Sequence, residues 1–340
     1  CGPGAAAREV AVRVGGAKAG GHVLGIDRSQ SAITAAIRAG RALGNAGALS
    51  FRRVAVEGFA LEQDEAPFDL AFVPGDNRYA WHAAAMRARW IVAFAGDRPA
   101  NKNWPVDRLV PYPDSPGAWG DIVAALAEGP PPAPYAPSHW RAGPASPFDL
   151  PAGRFAVLHV GASTPLKHWA PDRWRAIAAG IAARGIEPVW SGGRGEDALV
   201  RACDPAAKHR SYAGSLDLPQ MRGLLDRAAL MVSPDTGIAH LARIAGTPSV
   251  TLYGPGSATI TGAGRFYAAM PWRAVTVDPF PCRDQSVLFR REIAWVRRCG
   301  RSTAECPHPR CMDAIGVDAV AAAIDDVLAL PDPRVAGAGR

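Results

Sequence analysis

The sequence predicts an α/β protein made of two doubly wound domains with mostly parallel sheets. Three observations carry that reading. The 340 residues are enough for two ordinary cores. A proline-laden stretch, 129–150, shows neither helical nor strand periodicity and divides the chain. On both sides of it short apolar runs alternate with helical patterns, the way β-α-β units read. The expected plan is an N-terminal domain over 1–128, a linker over 129–150, a C-terminal domain over 151–330 and a disordered tail over 331–340.

After the linker, Phe155 to Val160 is the first buried strand. The helix expected over Asp172 to Ala183 lines up Trp174, Ile177, Ala178 and Ile181 on one face and stops at Gly185. A strand follows at Pro188 to Ser191, then a helix over Leu216 to Arg227, a strand over Ala228 to Ser233, a short helix over Gly237 to Ile244 and a strand over Ser249 to Tyr253. The last helix, Val317 to Leu328, groups Val320, Ile324, Val327 and Leu328 on one side. In the first block, strands are expected near His22 to Ile26, Phe68 to Val73 and Trp90 to Phe94.

Composition narrows the class. With 48% hydrophobic and 20% charged residues, the chain has a globular rather than a disordered or fibrous profile. Its apolar runs are strand-sized, far short of a membrane span, and no basic-then-apolar leader precedes them, so a cytoplasmic location is expected. The formal charge of +7 favours anionic partners. No basic cluster interleaved with aromatics points to nucleic acid. Only four lysines occur, at 18, 102, 167 and 208, so each is informative.

The strongest motif is Ser233-Pro234-Asp235-Thr236-Gly237-Ile238-Ala239-His240, set between an apolar run and an apolar helix. In an open parallel sheet, ligands sit beyond the carboxyl ends of strands, where the next helix offers free N–H groups and a positive dipole end. Thr236 and Gly237 would give a hydroxyl and backbone amides to a diphosphate, and Asp235 would accept from sugar hydroxyls. The bland alternative makes Asp235 a helix N-cap and His240 a core residue. A second motif, Gly161-Ala162-Ser163-Thr164-Pro165-Leu166-Lys167-His168-Trp169, follows the first strand and supplies small hydroxyls and an ammonium, as a leaving diphosphate requires. A third, Ser191-Gly192-Gly193-Arg194-Gly195-Glu196, permits close backbone approach, with Glu196 placed for a ribose or a base edge; a plain turn fits it equally. Tyr253-Gly254-Pro255-Gly256 follows a fourth strand.

Lys167-His168-Trp169, then Asp235-Thr236-Gly237 with His240, then Leu252-Tyr253-Gly254-Pro255 resemble the family 9 glycosyltransferases, which include the heptosyltransferases of lipopolysaccharide synthesis. The resemblance covers residues 68–330. It implies a GT-B arrangement of two Rossmann-like domains with the donor nucleotide on the C-terminal one. It further implies Ser163, Thr164 and Lys167 at the donor diphosphate, Glu196 at the nucleoside, and Asp235, Thr236, Gly237 and His240 at the donor sugar and phosphates. The implied reaction is inverting and metal-independent: a sugar, expected to be heptose, moves from an ADP-sugar donor to a lipopolysaccharide core or another glycan or protein acceptor. A base must take the acceptor's hydroxyl proton.

The family's base is an aspartate in a Gly-Asp pair after the first strand, and no such segment exists here. Instead Cys1-Gly2-Pro3-Gly4, Gly25-Ile26-Asp27 and Phe68-Asp69-Leu70-Ala71-Phe72 resemble the S-adenosylmethionine-dependent methyltransferases over residues 1–75, where Asp27 would bind ribose hydroxyls. Starting at Cys1 inside this motif, the chain reads as a chimera with a truncated or recombined front. Asp27 is then the candidate base. The competing functions are a methyltransferase using S-adenosylmethionine and a catalytically impaired nucleotide-sugar-binding protein.

Four of the six cysteines, Cys282, Cys299, Cys306 and Cys311, lie within 30 residues. Metal ligation is one reason for such clustering, and relatives within the resemblance that modify autotransporters carry a cysteine-bound iron. The spacing lacks a C-x-x-C pair, so a zinc-ribbon signature is absent and free structural thiols compete with an iron or zinc site.

Overall fold

The computed structural model describes residues 23–27 and 49–53, for which only the backbone is considered, together with 68–140 and 142–334. They belong to two compact units, Cys1–Ala133 with Ser286–Val296, and Pro134–Gln285 with Arg297–Arg340.

In the first unit, strands β1 (Val23–Asp27) and β2 (Leu49–Arg53) form a parallel pair. Then come β3 (Ala71–Val73), helix α1 (Ala80–Ala85), β4 (Ile91–Phe94), β5 (Arg108–Val110) and helix α2 (Trp119–Ala124). Strands β3, β4 and β5 make a parallel three-stranded sheet in that order. Strand β4 is buried on both faces, as its unbroken apolar run requires. Ile91 and Ala93 pack on Val73, Ala80 and Ala83, whereas Val92 and Phe94 pack on Ile122 and Leu126. The three-residue β5 alternates too little to be read from sequence, and β2 carries two arginines.

The second unit holds β6 (Phe155–His159), α3 (Pro171–Ala183), β7 (Glu187–Ser191), α4 (Asp197–Cys203), α5 (Leu218–Arg227), β8 (Leu230–Pro234), α6 (Gly237–Ala245), β9 (Ser249–Tyr253), α7 (Ala258–Thr261) and β10 (Trp272–Thr276). These strands make one parallel sheet in the order β10-β9-β8-β6-β7. Alternate residues of β6 feed two cores: Ala156 and Leu158 meet Trp174, Ile177 and Ile181, while Phe155 and Val157 meet Leu224, Leu225 and Met231. A sheet covered on both faces is the doubly wound solution.

Local chemistry sets the helix ends. Helix α3 begins with Pro171, which needs no N–H at that position, and its chain leaves through Gly185 at φ +71°. Asp217 and Gln220 form a capping box at α5. Helix α6 ends on the left-handed Gly246. Helix α4 and strand β10 escaped the sequence reading. The first is a seven-residue helix behind a glycine turn, and the second is only partly buried at the sheet edge.

A hairpin of β11 (Val287–Leu288) and β12 (Arg291–Glu292) belongs to the first unit, although it lies after β10 in the chain. Its Arg291 is buried and donates to the carbonyls of Gly75, Phe94 and Ala95 and to Asn77 Oδ1. Helices α8 (Arg310–Asp313) and α9 (Val317–Leu328) return to the second unit, where Val320, Ile324 and Val327 pack on its sheet.

Within the segment read as an inter-domain linker, the two units divide between Ala133 and Pro134. From there it is bound to the second unit. Tyr135 is buried and its hydroxyl donates to the Ile244 carbonyl at 2.7 Å, and Phe148 stacks edge-on against Tyr212. Of the expected tail, Arg334 donates to the carbonyls of Leu225, Asp226 and Ala228 at the end of α5; residues 335–340 lie outside the described ones. Among the described residues no helix is long and apolar enough to cross a membrane.

Candidate functional site

The strand order fixes where a ligand can go. Strand β6 pairs with β7 on one side and β8 on the other, so the chain's direction of travel across the sheet reverses between β6 and β8. Loops leaving the carboxyl ends of two such strands part, and the crevice between them is the binding position of open α/β sheets. The loop bearing Lys167 leaves β6, and Asp235 directly follows β8.

These two residues meet across that crevice. Lys167 Nζ donates to Asp235 Oδ2 at 3.0 Å and to the Asp235 carbonyl at 2.7 Å. The other carboxylate oxygen, Oδ1, accepts from Thr261 Oγ1 at 3.3 Å. The Asp235 side chain is 9% exposed and that of Lys167 22%, so the pair is only partly screened by water. A Cβ at Gly256 would stand 2.6 Å from Asp235 Oδ2, which explains a glycine in the loop after β9.

Asp235 is not the helix cap that the alternative reading required. Thr236 holds the N-cap position of α6 and makes no capping hydrogen bond, and its Oγ1 is buried without a partner among the described residues. The first amides of α6 therefore face the crevice with no side-chain acceptor, beside a lysine: an anion site with a dipole and a charge. One turn further, His240 Nδ1 is 2.5 Å from the guanidinium of the buried Arg243. Burial, then the Arg243 charge, pushes the His240 imidazole down to about 4, so it is neutral at physiological pH.

A pocket opens alongside, lined by His159, Ser163, Glu196, Tyr212, Met221 and Thr236. Its rim is held by Glu196, whose carboxylate accepts from the amides of Ala162 and Gly193 and so ties the loop after β6 to the loop after β7. A Cβ at Gly161 would overlap the Glu196 carboxylate, so glycine there leaves that carboxylate its place on the two amides. At the base, His159 Nδ1 and Ser191 Oγ are 3.0 Å apart, and burial pushes His159 down to about 4.

The residues singled out from sequence fall in three groups. Lys167, Asp235, Thr236, Gly237 and His240 cluster at the crevice, and Ser163 and Glu196 line the pocket. Thr164 instead caps the 3-10 turn Pro165–Lys167, accepting from the Leu166 amide at 3.3 Å. Trp169 is a core residue whose indole N–H donates to the Ile315 carbonyl. Asp27 ends β1, but its side chain lies outside the described residues, as do the glycines at 2 and 4.

Of the two readings left open for the cysteines, the four-thiolate centre finds no support in the geometry of the described residues. Among the described residues, no group of three or more His, Cys, Asp or Glu side chains is arranged to hold a metal ion. The Arg301 guanidinium occupies the space, donating to the Cys282 carbonyl and lying 4.0 Å from Cys299 Sγ, while Cys306 Sγ turns to the His308 carbonyl. Cys311 is buried, and its thiol is pushed up by desolvation. Sequence reasoning missed His159, Tyr212, Thr261 and Arg243. A histidine ending a buried strand was the available signal for the first; the others announce themselves only once folded.

Two α/β units with mostly parallel sheets and a charged crevice at the switch point place the protein in the GT-B-like fold class. Residues 134–277 match the model of the glycosyltransferase family 9 (heptosyltransferase). It is 25% identical over 234 residues to lipopolysaccharide heptosyltransferase 1 of Pseudomonas aeruginosa, covering 65% of this chain and 56% of the relative. To its counterpart from Escherichia coli K12 it is 28% identical over 139 residues, 40% of this chain and 43% of the relative. The chain thus spans only about half of the curated relatives it matches. Among solved structures, the fold resembles ADP-heptose heptosyltransferase II of E. coli, with a TM-score of 0.53 at 17% identity over 77% of this chain and 76% of that one. It resembles a family 9 glycosyl transferase of Veillonella parvula with a TM-score of 0.60 at 13% identity over 90% and 88%. E. coli heptosyltransferase WaaC, solved with ADP, gives 0.52 at 17% identity over 74% and 92%.

The Glu196 clamp predicts that Gly161→Ala, which evicts the carboxylate from two amides, lowers unfolding stability by about 2 kcal/mol in a denaturant titration. Unchanged stability would remove the clamp. The two buried histidines set a pH dependence. Their folded values of about 4 lie below the ordinary 6.5, so the unfolded chain binds more protons between those limits. Stability is therefore expected to be level above about pH 6.5 and to fall steadily towards pH 4, and a thermal-melting series across that range reads it directly.

Proposed function

We propose that the chain transfers a sugar, in our reading a heptose, from an ADP-activated donor to a lipopolysaccharide core or a similar acceptor. The observation carrying this reading is the Lys167–Asp235 contact across the crevice, beside the uncapped start of α6. A nucleoside diphosphate has the charge for that crevice, and its nucleoside has the size and mixed polarity for the pocket of His159, Ser163, Glu196 and Tyr212. The family match over 134–277 and the relatives named as heptosyltransferases favour heptose, and the solved relative that carries ADP favours adenine.

In the proposed displacement, the acceptor hydroxyl oxygen bonds to the anomeric carbon while the bond from that carbon to the diphosphate oxygen breaks. The hydroxyl proton goes to a base and ADP departs. Lys167 and the α6 amides stabilise the negative charge that grows on the leaving oxygen, so the charge is met by the chain's own groups. Asp235 keeps lone pairs beyond those given to Lys167 and Thr261, and these accept from donor sugar hydroxyls. Asp27, at the end of a strand of the N-terminal unit, is the candidate base. Such an enzyme acts on the cytoplasmic side and meets its acceptor at the inner-membrane surface.

Calorimetric titration with ADP, UDP and S-adenosylmethionine tests the reading, followed by a transfer assay. ADP is expected to bind. Lys167→Met should cut transfer by about 10²- to 10³-fold, the usual effect of removing one group that meets developing charge. Asp27→Asn should abolish transfer while ADP still binds; unchanged turnover removes Asp27 from the mechanism. Binding of S-adenosylmethionine with no nucleoside diphosphate would overturn the reading in favour of a methyltransferase. ADP binding with no transfer by the unmodified chain would leave a nucleotide-sugar-binding protein.

A further inference from the structure

We infer that Arg243 is a positioning residue that fixes His240 as the Nε2–H tautomer, making His240 a hydrogen-bond donor to the leaving diphosphate and barring it from service as a base. The inference rests on the sugar-transfer reading for the group that His240 meets; the tautomer itself does not.

A guanidinium has N–H donors and no acceptor, and it keeps its proton in proteins. An imidazole nitrogen 2.5 Å from Arg243 Nη2 must therefore be the one that accepts. His240 Nδ1 is thus bare, and in a neutral ring the proton then sits on Nε2.

The geometry around Arg243 holds it to this task. His240 and Arg243 are three residues apart on α6, so they share a helix face. The same Nη2 donates to the Thr261 carbonyl at 2.7 Å, and the guanidinium carbon lies 5.2 Å from the Trp272 ring centre and 5.8 Å from that of Tyr267. Arg243 is 1% exposed, so its charge has no room to swing into water. Thr261 in turn holds Asp235 through its hydroxyl. One buried guanidinium thus anchors both the histidine and the backbone of the residue that holds the carboxylate.

Among the described residues, the charged groups acting on His240 are Arg243 on its own helix, Lys167 from the loop after β6 and Asp235 after β8. Tyr253 of β9 and Tyr267 also act on Arg243. The two cations outweigh the one carboxylate, so a proton added to His240 is disfavoured. Among the described residues no protein atom engages Nε2. A neutral N–H beside a lysine and the free amides of α6 suits an anionic oxygen.

The test uses the full chain labelled with ¹⁵N-histidine. Long-range ¹H–¹⁵N spectra identify the His240 ring by its loss in His240→Gln. The expected wild-type result between pH 5.5 and 8 is a protonated Nε2 and an unprotonated Nδ1, with no titration. In Arg243→Met the ring should become a tautomer mixture with a midpoint near the ordinary histidine value, and ADP should bind about tenfold more weakly at pH 8. That loss should shrink at pH 5.5, where the released His240 gains a proton, whereas wild type shows no such trend. Arg243→Lys, which retains a donor and a charge, should restore the Nε2–H form. A proton on Nδ1 in the wild type, or an unaltered ring in a folded Arg243→Met, overturns the inference. If Arg243→Met does not fold, the wild-type tautomer decides alone. Failure of the wild type to bind ADP would instead sink the sugar-transfer reading and leave the tautomer result standing.

Discussion

The site depends on one contact, the ammonium of Lys167 against Asp235, which joins two loops diverging from neighbouring strands. Their strands run side by side in the same direction, and the order β10-β9-β8-β6-β7 forces the following helices to opposite faces of the sheet. The gap this opens is lined by backbone amides and lies at the positive end of α6. A lone lysine there would repel that helix end. Paired with a carboxylate that also accepts from Thr261, it is held in place, with one N–H bond still to offer a ligand.

Supports radiate from this contact. Gly256 leaves room for the carboxylate, Thr261 fixes its far oxygen, and Arg243 secures the Thr261 carbonyl and the ring of His240. On the other side, Glu196 bridges the amides of Ala162 and Gly193, so the loops after β6 and β7 move as one. Buried charges in such a network stabilise little by themselves, because desolvation offsets much of their attraction. Their value here is placement. The cost is carried by the two cores that cover the sheet, built on Trp174, Ile181 and Leu158 on one face and Leu224, Leu225 and Met231 on the other.

Much of this was legible in the sequence because buried strands and glycine-bounded loops write themselves locally. Ser249–Tyr253 and Val317–Leu328 fall where apolar periodicity put them, and Lys167 stood out by the scarcity of lysine. What escaped is non-local. Arg243 reads as an ordinary basic residue at a helix end, and only folding brings Thr261 and Trp272 against it. The proline-rich stretch marked an inter-domain linker, but proline signals only the absence of helix and says nothing of packing; Tyr135 and Phe148 tie its later part to the second unit. The cysteines left metal and free thiols open, because proximity in sequence does not say where thiols point; the fold sets Arg301 beside Cys282 and Cys299.

In the proposed reaction the crevice between β6 and β8 grips a diphosphate, and a crystal structure of the chain with ADP is the decisive measurement. Diphosphate oxygens are expected within hydrogen-bonding distance of Lys167 Nζ and of the first amides of α6, with the nucleoside in the pocket of His159 and Glu196. ADP bound elsewhere on the chain, with the Lys167–Asp235 crevice empty, would contradict it.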